Sequence, residues 1–222
     1  MPLFSRELPQ ADWLVVGLGN PGAEYAGTRH NVGYQVASRL AKRMRAEFAK
    51  KAADARLAEG TLGDARVAVA RPGTFMNDSG HSVRRLLQRY RLEPKRLVVV
   101  YDDIDLPLGR IRIRPAGGPG THNGMRSVVA EIGSEGFARV RLGIHPEDAP
   151  GDLADHVLSP FEDGERAVAE EMVARAAEAV EVMVRDGIQR AMAKFNSAEK
   201  DDAGKDDEVK DDGGKDDGAR DP

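Results

Sequence analysis

The period of apolar positions changes along the chain, and each change marks an element. Residues Trp13, Leu14, Val15, Val16, Gly17 and Leu18 form a nearly unbroken apolar run closed by Gly and Pro, the pattern of a strand buried on both faces. After a loop over residues 19–27, Val32, Val36, Leu40 and Met44 recur every fourth position and predict a helix over about 31–48. Short strands are expected over 56–62 and 66–70, because the link Gly63-Asp64 suits a tight hairpin turn. Arg71-Pro72-Gly73 breaks the pattern, and Val83, Leu86 and Leu87 mark a second helix over about 78–90. Residues 97–101 are apolar and mostly β-branched, as in a central strand covered on both sides. Residues 110–114 alternate strictly between Arg and Ile, a strand with one wet face that carries three arginines. A Gly-rich loop over 117–120 leads to a helix over about 122–132, residues 139–144 alternate again, and a long helix over about 165–185 is followed by a short one ending near Asn196. Strands and helices interleave with one hairpin. The fold expected is therefore a single α/β domain over residues 12–196, with a mixed, mostly parallel sheet and helices on both faces.

Charge is unevenly spread. The formal net charge is −4 over 222 residues. Residues 199–222 hold 11 acids and 5 bases, a net of −6, which leaves 28 bases and 26 acids, a net of +2, for residues 1–198. Lys-Asp-Asp recurs there at Lys200, Lys205, Lys210 and Lys215, with one aliphatic residue and no aromatic one, so residues 197–222 are expected to form a disordered acidic tail. Residues 1–11 are expected to be an N-terminal extension. Residues 84–114 carry nine Arg or Lys against four acids, a local basic stretch that permits a polyanionic partner without requiring one. There is no cysteine, which excludes disulfides, a thiol nucleophile and thiolate metal sites. No signal-peptide pattern opens the chain and no uncharged apolar run reaches the roughly 18 residues a membrane helix needs, so a cytoplasmic location is expected.

Gly17-Leu18-Gly19-Asn20-Pro21-Gly22 has the spacing of a dinucleotide-binding turn, but the context argues against one. In that turn the helix opens within the glycines so that its N-terminus meets the pyrophosphate; here Pro21 and the loop postpone it by nearly ten residues. No Gly-x-Ser-x-Gly elbow is present, and His30, His81, His122, His145 and His156 show no zinc spacing. What is left is loop chemistry. His30 sits where the first loop enters its helix; it is either a surface residue at a helix start or a general base. Asp102 follows the apolar strand, at the edge where α/β sheets place their sites, and a carboxylate there can hold an imidazole tautomer. Asn20, Asn77 and Asn123 lie at loop-to-helix junctions, as caps and turn residues or as amide donors to a developing oxyanion. Arg110, Arg112 and Arg114 share one face and Arg139 and Arg141 another; if their strands pair, a phosphate can be gripped from both sides, and otherwise they are solvated strand arginines.

Taken in order, four motifs closely resemble the bacterial peptidyl-tRNA hydrolase family. They are Gly17-Leu18-Gly19-Asn20-Pro21-Gly22 running on through Tyr25 to Thr28-Arg29-His30-Asn31; Pro72 with Phe75-Met76-Asn77 and Ser79-Gly80; Asp102-Asp103 with Asp105-Leu106-Pro107 and Gly109; and His122-Asn123-Gly124. Residues 137–143 and Ala191-Met192 with Phe195-Asn196 fit as well, so that the resemblance covers residues 12–196. It implies a single α/β domain with a twisted mixed sheet, hydrolysis of the ester between a peptide and the 3′ end of tRNA, no metal or other cofactor, and a monomer with no obligate protein partner. By motif position it makes His30 the base that activates water and Asp102 its orienting partner. Asn20 and Asn77 would position the ester and peptide, with Asn77 or Asn123 as oxyanion donor; Tyr25 and Met76 would shape the crevice; His122 and Asn123 would hold the 3′ end. Arg112 and Arg141 would grip tRNA phosphate. Two positions depart from the family pattern: Pro119 in the Gly-rich loop, which should stiffen it, and His145 where a small residue is more usual. The rival reading is a non-catalytic RNA-binding module of the same fold, of the kind that serves in splicing; binding needs only the arginines, not His30, Asp102 and the asparagines.

Overall fold

The computed structural model describes residues 10–145 and 152–196, so the expected acidic tail and all but two residues of the expected N-terminal extension lie outside the described residues. Seven strands, β1 (Trp13–Gly17), β2 (Lys50–Ala52), β3 (Ala55–Leu62), β4 (Ala65–Pro72), β5 (Leu97–Pro107), β6 (Ile111–Arg114) and β7 (Ala138–His145), form one sheet in the order β2-β3-β4-β1-β5-β7-β6. Its centre is parallel, β4-β1-β5-β7, and both flanks are antiparallel. The helices are α1 (Val32–Arg43), α2 (Ser79–Tyr90), α3 (Asn123–Ile132), α4 (Leu153–Leu158), α5 (Arg166–Asp186) and α6 (Ile188–Phe195). No helix among the described residues is long and apolar enough to cross a membrane.

The alternation of the strands divides the core into two layers. Val15, Val98, Val100, Ile111, Ile113 and Val140 pack with α1, α5 and α6. Leu14, Val16, Val99 and Tyr101 pack with α2 and α3 on the other face. A strand with both faces covered must be apolar at every position, which is why β5 opens with Leu and three valines. Edge strand β6 needs apolar residues on one face only. It buries Ile111 and Ile113 toward α6 and turns Arg112 and Arg114 to the opposite side. Asn196, just past α6, clamps that edge: its Oδ1 accepts from Ile113 N at 2.8 Å and its Nδ2 donates to Ile113 O at 3.0 Å.

Three sequence expectations need correction. The first helix ends at Arg43, not near residue 48: Arg45 turns left-handed (φ 53°) and Ala46 N reaches back to Ala41 O, closing the helix with a non-glycine residue in the position glycine usually takes. Phe48 leaves the helix and packs under the Arg71 guanidinium, 4.0 Å from its ring centroid. Second, β5 does not stop at Tyr101; it runs on to Pro107 because β7 keeps pairing with it, Asp102 with Leu142 and Asp103 with Gly143. Third, β2 and α4 add to the expected elements, and β2 is only three residues held by pairing with β3.

The glycine run of the first loop has a packing purpose. A side chain on Gly17 would collide with the Gly33 carbonyl, and one on Gly19 would stand 2.7 Å from the Tyr34 ring. The start of α1 is therefore pressed directly onto the ends of β1 and β5, which carries residues 29–31 to the carboxyl edge of the parallel strands.

Candidate active site

His30 lies on a 3₁₀ turn, Arg29–Asn31, fixed from both sides. Behind it, Arg29 is 3% exposed; its Nη1 donates to Ser159 Oγ and Pro160 O, both at 2.6 Å, its Nη2 pairs with Glu165, and its backbone N–H bonds Ser159 O at 3.0 Å. In front, Asn31 Oδ1 accepts from Asn20 N at 2.8 Å and Asn31 Nδ2 donates to Asn20 O at 3.0 Å. Asn20 Oδ1 in turn accepts from Met76 N at 2.8 Å. This chain of amides ties the His30 turn to the Met76–Asn77 turn, although the segments lie far apart in sequence.

Asp102 supplies the carboxylate. Strand β1 ends at Gly17, opposite Val100, so the next residues of β5 have no neighbour on that side, and the His30 turn fills the gap. His30 Nδ1 stands 2.9 and 2.8 Å from the two Asp102 oxygens. His122 Nε2 stands 3.1 Å from Asp102 Oδ1. The tautomers follow from the remaining partners. His122 caps α3 by accepting the Met125 N–H at its Nδ1 (3.2 Å), so in its neutral form its proton is on Nε2 and points at Asp102. A buried carboxylate can only accept; His30 therefore donates from Nδ1, which leaves Nε2 with a lone pair. Burial by itself would push the Asp102 carboxyl up, but the charge and hydrogen bonds of His122 and His30 outweigh it and hold the group well below the usual carboxylate range. The imidazole rings are close, His30 to His122 at 5.1 Å and His122 to Tyr101 at 4.8 Å between centroids.

His30, Asp102 and His122 each offer a ligand atom within 4.8 Å of the others, so a metal site has to be considered. The donor chemistry does not suit one. A metal at His122 Nε2 would need that nitrogen bare and the proton on Nδ1, where it would meet the Met125 N–H. The trio fits a hydrogen-bonded carboxylate clamp instead.

A crevice of about 590 Å³ opens beside this clamp. It is lined by His30, Asp102, His122 and Asn123, by the Gly-rich loop 116–121, by Arg114, Arg139 and Arg141, and by Leu153, Ala154 and Val157 of α4. Of the expected site residues, Asn20, Tyr25, Met76, Asn77 and Arg112 are not on that lining. Met76 and Asn20 are buried behind it, Met76 and His122 both flanking Gly124; Asn77 is exposed on its turn and Tyr25 half-buried on the preceding one. Strands β6 and β7 do pair, with Arg112 opposite Arg141 and Arg114 opposite Arg139. The arginines are not equivalent, however. Arg139 is 2% exposed and spends its guanidinium on the carbonyls of Gly118 (2.8 Å) and Glu135 (3.1 Å), holding the Gly-rich loop. Arg141 donates from Nε to Asp103 and is itself part of the crevice lining. Sequence reasoning passed over Asp103, Asn31, the Arg29 clamp and the contact of His122 with Asp102. It also did not single out Arg114 from its row, for which the signal was available: Arg114 is the residue of the row nearest the Gly-rich loop.

Comparison with known proteins places the chain among relatives of one family. Residues 14–203 match the family model described as peptidyl-tRNA hydrolase. The chain is 50% identical over 186 residues to a peptidyl-tRNA hydrolase of Roseiflexus sp. (strain RS-1), covering 83% of this chain and 86% of that one. It is 48% identical over 185 residues to that of Chloroflexus aggregans, covering 83% and 98%. Among solved structures, peptidyl-tRNA hydrolase from Acinetobacter baumannii superposes with a TM-score of 0.78 at 32% identity, covering 85% of this chain and 97% of that one.

Proposed function

Because the chain belongs to the peptidyl-tRNA hydrolase family, we propose that it hydrolyses the ester joining a peptide to the 3′-terminal ribose of tRNA, releasing free tRNA for reuse in translation. The observation that carries the reading is the Asp102 clamp, which engages Nδ1 of His30 and leaves Nε2 as the acceptor on a residue lining the crevice. Water attacks the ester carbonyl as its proton passes to His30 Nε2, and Asp102 stabilises the imidazolium formed. The tetrahedral oxyanion takes an amide N–H, from Asn77 or Asn123. Collapse breaks the bond to the ribose oxygen, which recovers the proton from His30; the products are a peptide acid and tRNA. Asn20 and Asn77 position the peptide side, Tyr25 and Met76 shape that flank, and His122 and Asn123 hold the 3′ end. Arg112 and Arg141, with Arg114 beside the loop, take phosphate. Action as a monomer, without a cofactor or obligate protein partner, is carried over from the family resemblance, and a cytoplasmic location from the absence of a signal-peptide pattern and of a membrane-length apolar run in the sequence.

The purified chain, given an N-blocked aminoacyl-tRNA in the presence of EDTA, should release the blocked amino acid; no release would refute the reading. Arg141→Ala and Arg112→Ala should weaken tRNA binding. Each should flatten the slope of log K against log salt by about 0.7 per lost single-strand phosphate contact. An unchanged slope would remove that residue from the RNA interface.

A further inference from the structure

The mechanism proposed above gives no role to the acidic repeat that starts at Lys200, four residues past the well-anchored Asn196. Asn196, the last described residue, bonds both the N–H and the C=O of Ile113, at the middle of edge strand β6 and between Arg112 and Arg114. Residues 199–222 then carry a net charge of −6. Lys200-Asp201-Asp202 begins four residues past Asn196, and at no more than about 3.3–3.6 Å per residue it can reach roughly 13–20 Å from that root. Arg112 and Arg114 are about 7 Å apart along the strand, and Arg141 is one strand over, about 4.8 Å away. The arginine row is thus within reach of the first repeat, and further Asp pairs follow every fifth residue.

From this placement we propose that the acidic segment 199–222 competes with RNA phosphate for the arginines of β6 and β7, chiefly Arg112, Arg114 and Arg141, and so sets the affinity for tRNA. The inference rests on the tRNA reading of this site. A segment tied to the domain has an effective concentration in the millimolar range, far above that of any RNA in solution. Carboxylates meet guanidinium groups with the same fork geometry as phosphate does. Individually such exposed pairs are weak. RNA, with its closely spaced charges and its 3′ end seated in the crevice, displaces them, so the segment raises the threshold for binding without blocking turnover. Non-specific polyanions, which lack the seated end, lose most.

The test uses the full-length chain and a full-length variant in which the nine Asp and two Glu of residues 199–222 become Asn and Gln. Binding of an acceptor-stem minihelix RNA ending in CCA is measured against salt. The variant is expected to bind about three- to tenfold more tightly at about 50 mM salt, as expected for a few exposed ion pairs. The gap should close near 1 M salt, where the screening length falls to about 3 Å. In an Arg112→Ala, Arg114→Ala background the gap should largely vanish. Equal affinity of parent and variant for RNA would overturn the inference while leaving the proposed function intact, and so would a gap that survives loss of the arginines. If neither protein bound the RNA, the tRNA reading itself would fall, and this inference with it.

Discussion

His30→Ala is expected to lower turnover on peptidyl-tRNA by about 10²–10⁴, the usual span for loss of a general base, while affinity for tRNA is unchanged. The geometry separates the two effects. The imidazole is held by Asp102 and by its turn, and its removal takes no partner from Arg141, whose Nε is bound by Asp103, or from the Gly-rich loop, which Arg139 anchors. The turn itself survives, because Arg29 and Asn31 fix it through bonds that do not involve the imidazole. A rate loss accompanied by an equal loss of RNA binding would mean that His30 acts in recognition. Full activity in the alanine variant would remove it from the chemistry and favour the RNA-binding module.

Asp102→Asn should cost a similar factor, roughly 10²–10⁴ in kcat, although the side chain barely changes in size. Two imidazole N–H groups converge on this carboxylate, one from His30 and one from His122, and His30 touches both oxygens. An amide cannot accept at both positions. With its oxygen toward His122, its NH₂ meets His30 Nδ1–H; turned over, it meets both rings with N–H groups. The relief available to His30 is to move its proton to Nε2, the nitrogen that has to accept a proton from water. His122 cannot yield in the same way, because its Nδ1 already accepts from Met125 N. Steady-state kinetics with KM measured alongside kcat checks this: the loss should fall on kcat. A variant retaining parental kcat would show that the tautomer is fixed by something other than Asp102.

Much of the architecture was readable from periodicity. The Leu97–Val100 run, the Arg/Ile alternation of β6 and the fourfold spacing in α1 each reflect which faces are covered, and burial follows the pattern. What escaped was set by tertiary pairing. Nothing local marks Arg45 as left-handed or Lys50–Ala52 as a strand, and Asp102 looked like loop because β7, the strand that keeps β5 extended, lies far along the chain. The glycine spacing at residues 17–22 resembled a phosphate turn for the right residue type and the wrong reason; at Gly17 and Gly19 the absent side chains make room for α1. The site was legible only through resemblance. His30 and Asp102 are 72 residues apart and no spacing argument joins them. His122 offered even less of a sign: its Asp102 contact exists because it caps α3 with one nitrogen and has the other to spend.

The claim on which the mechanism depends is the protonation pattern of one ring. Long-range ¹H–¹⁵N correlation on the histidine-labelled protein, at a pH where His30 is neutral, reads it directly. His30 should show a protonated Nδ1 and a bare Nε2, with the reversed pattern in Asp102→Asn. A neutral His30 carrying its proton on Nε2 in the parent protein would contradict the mechanism.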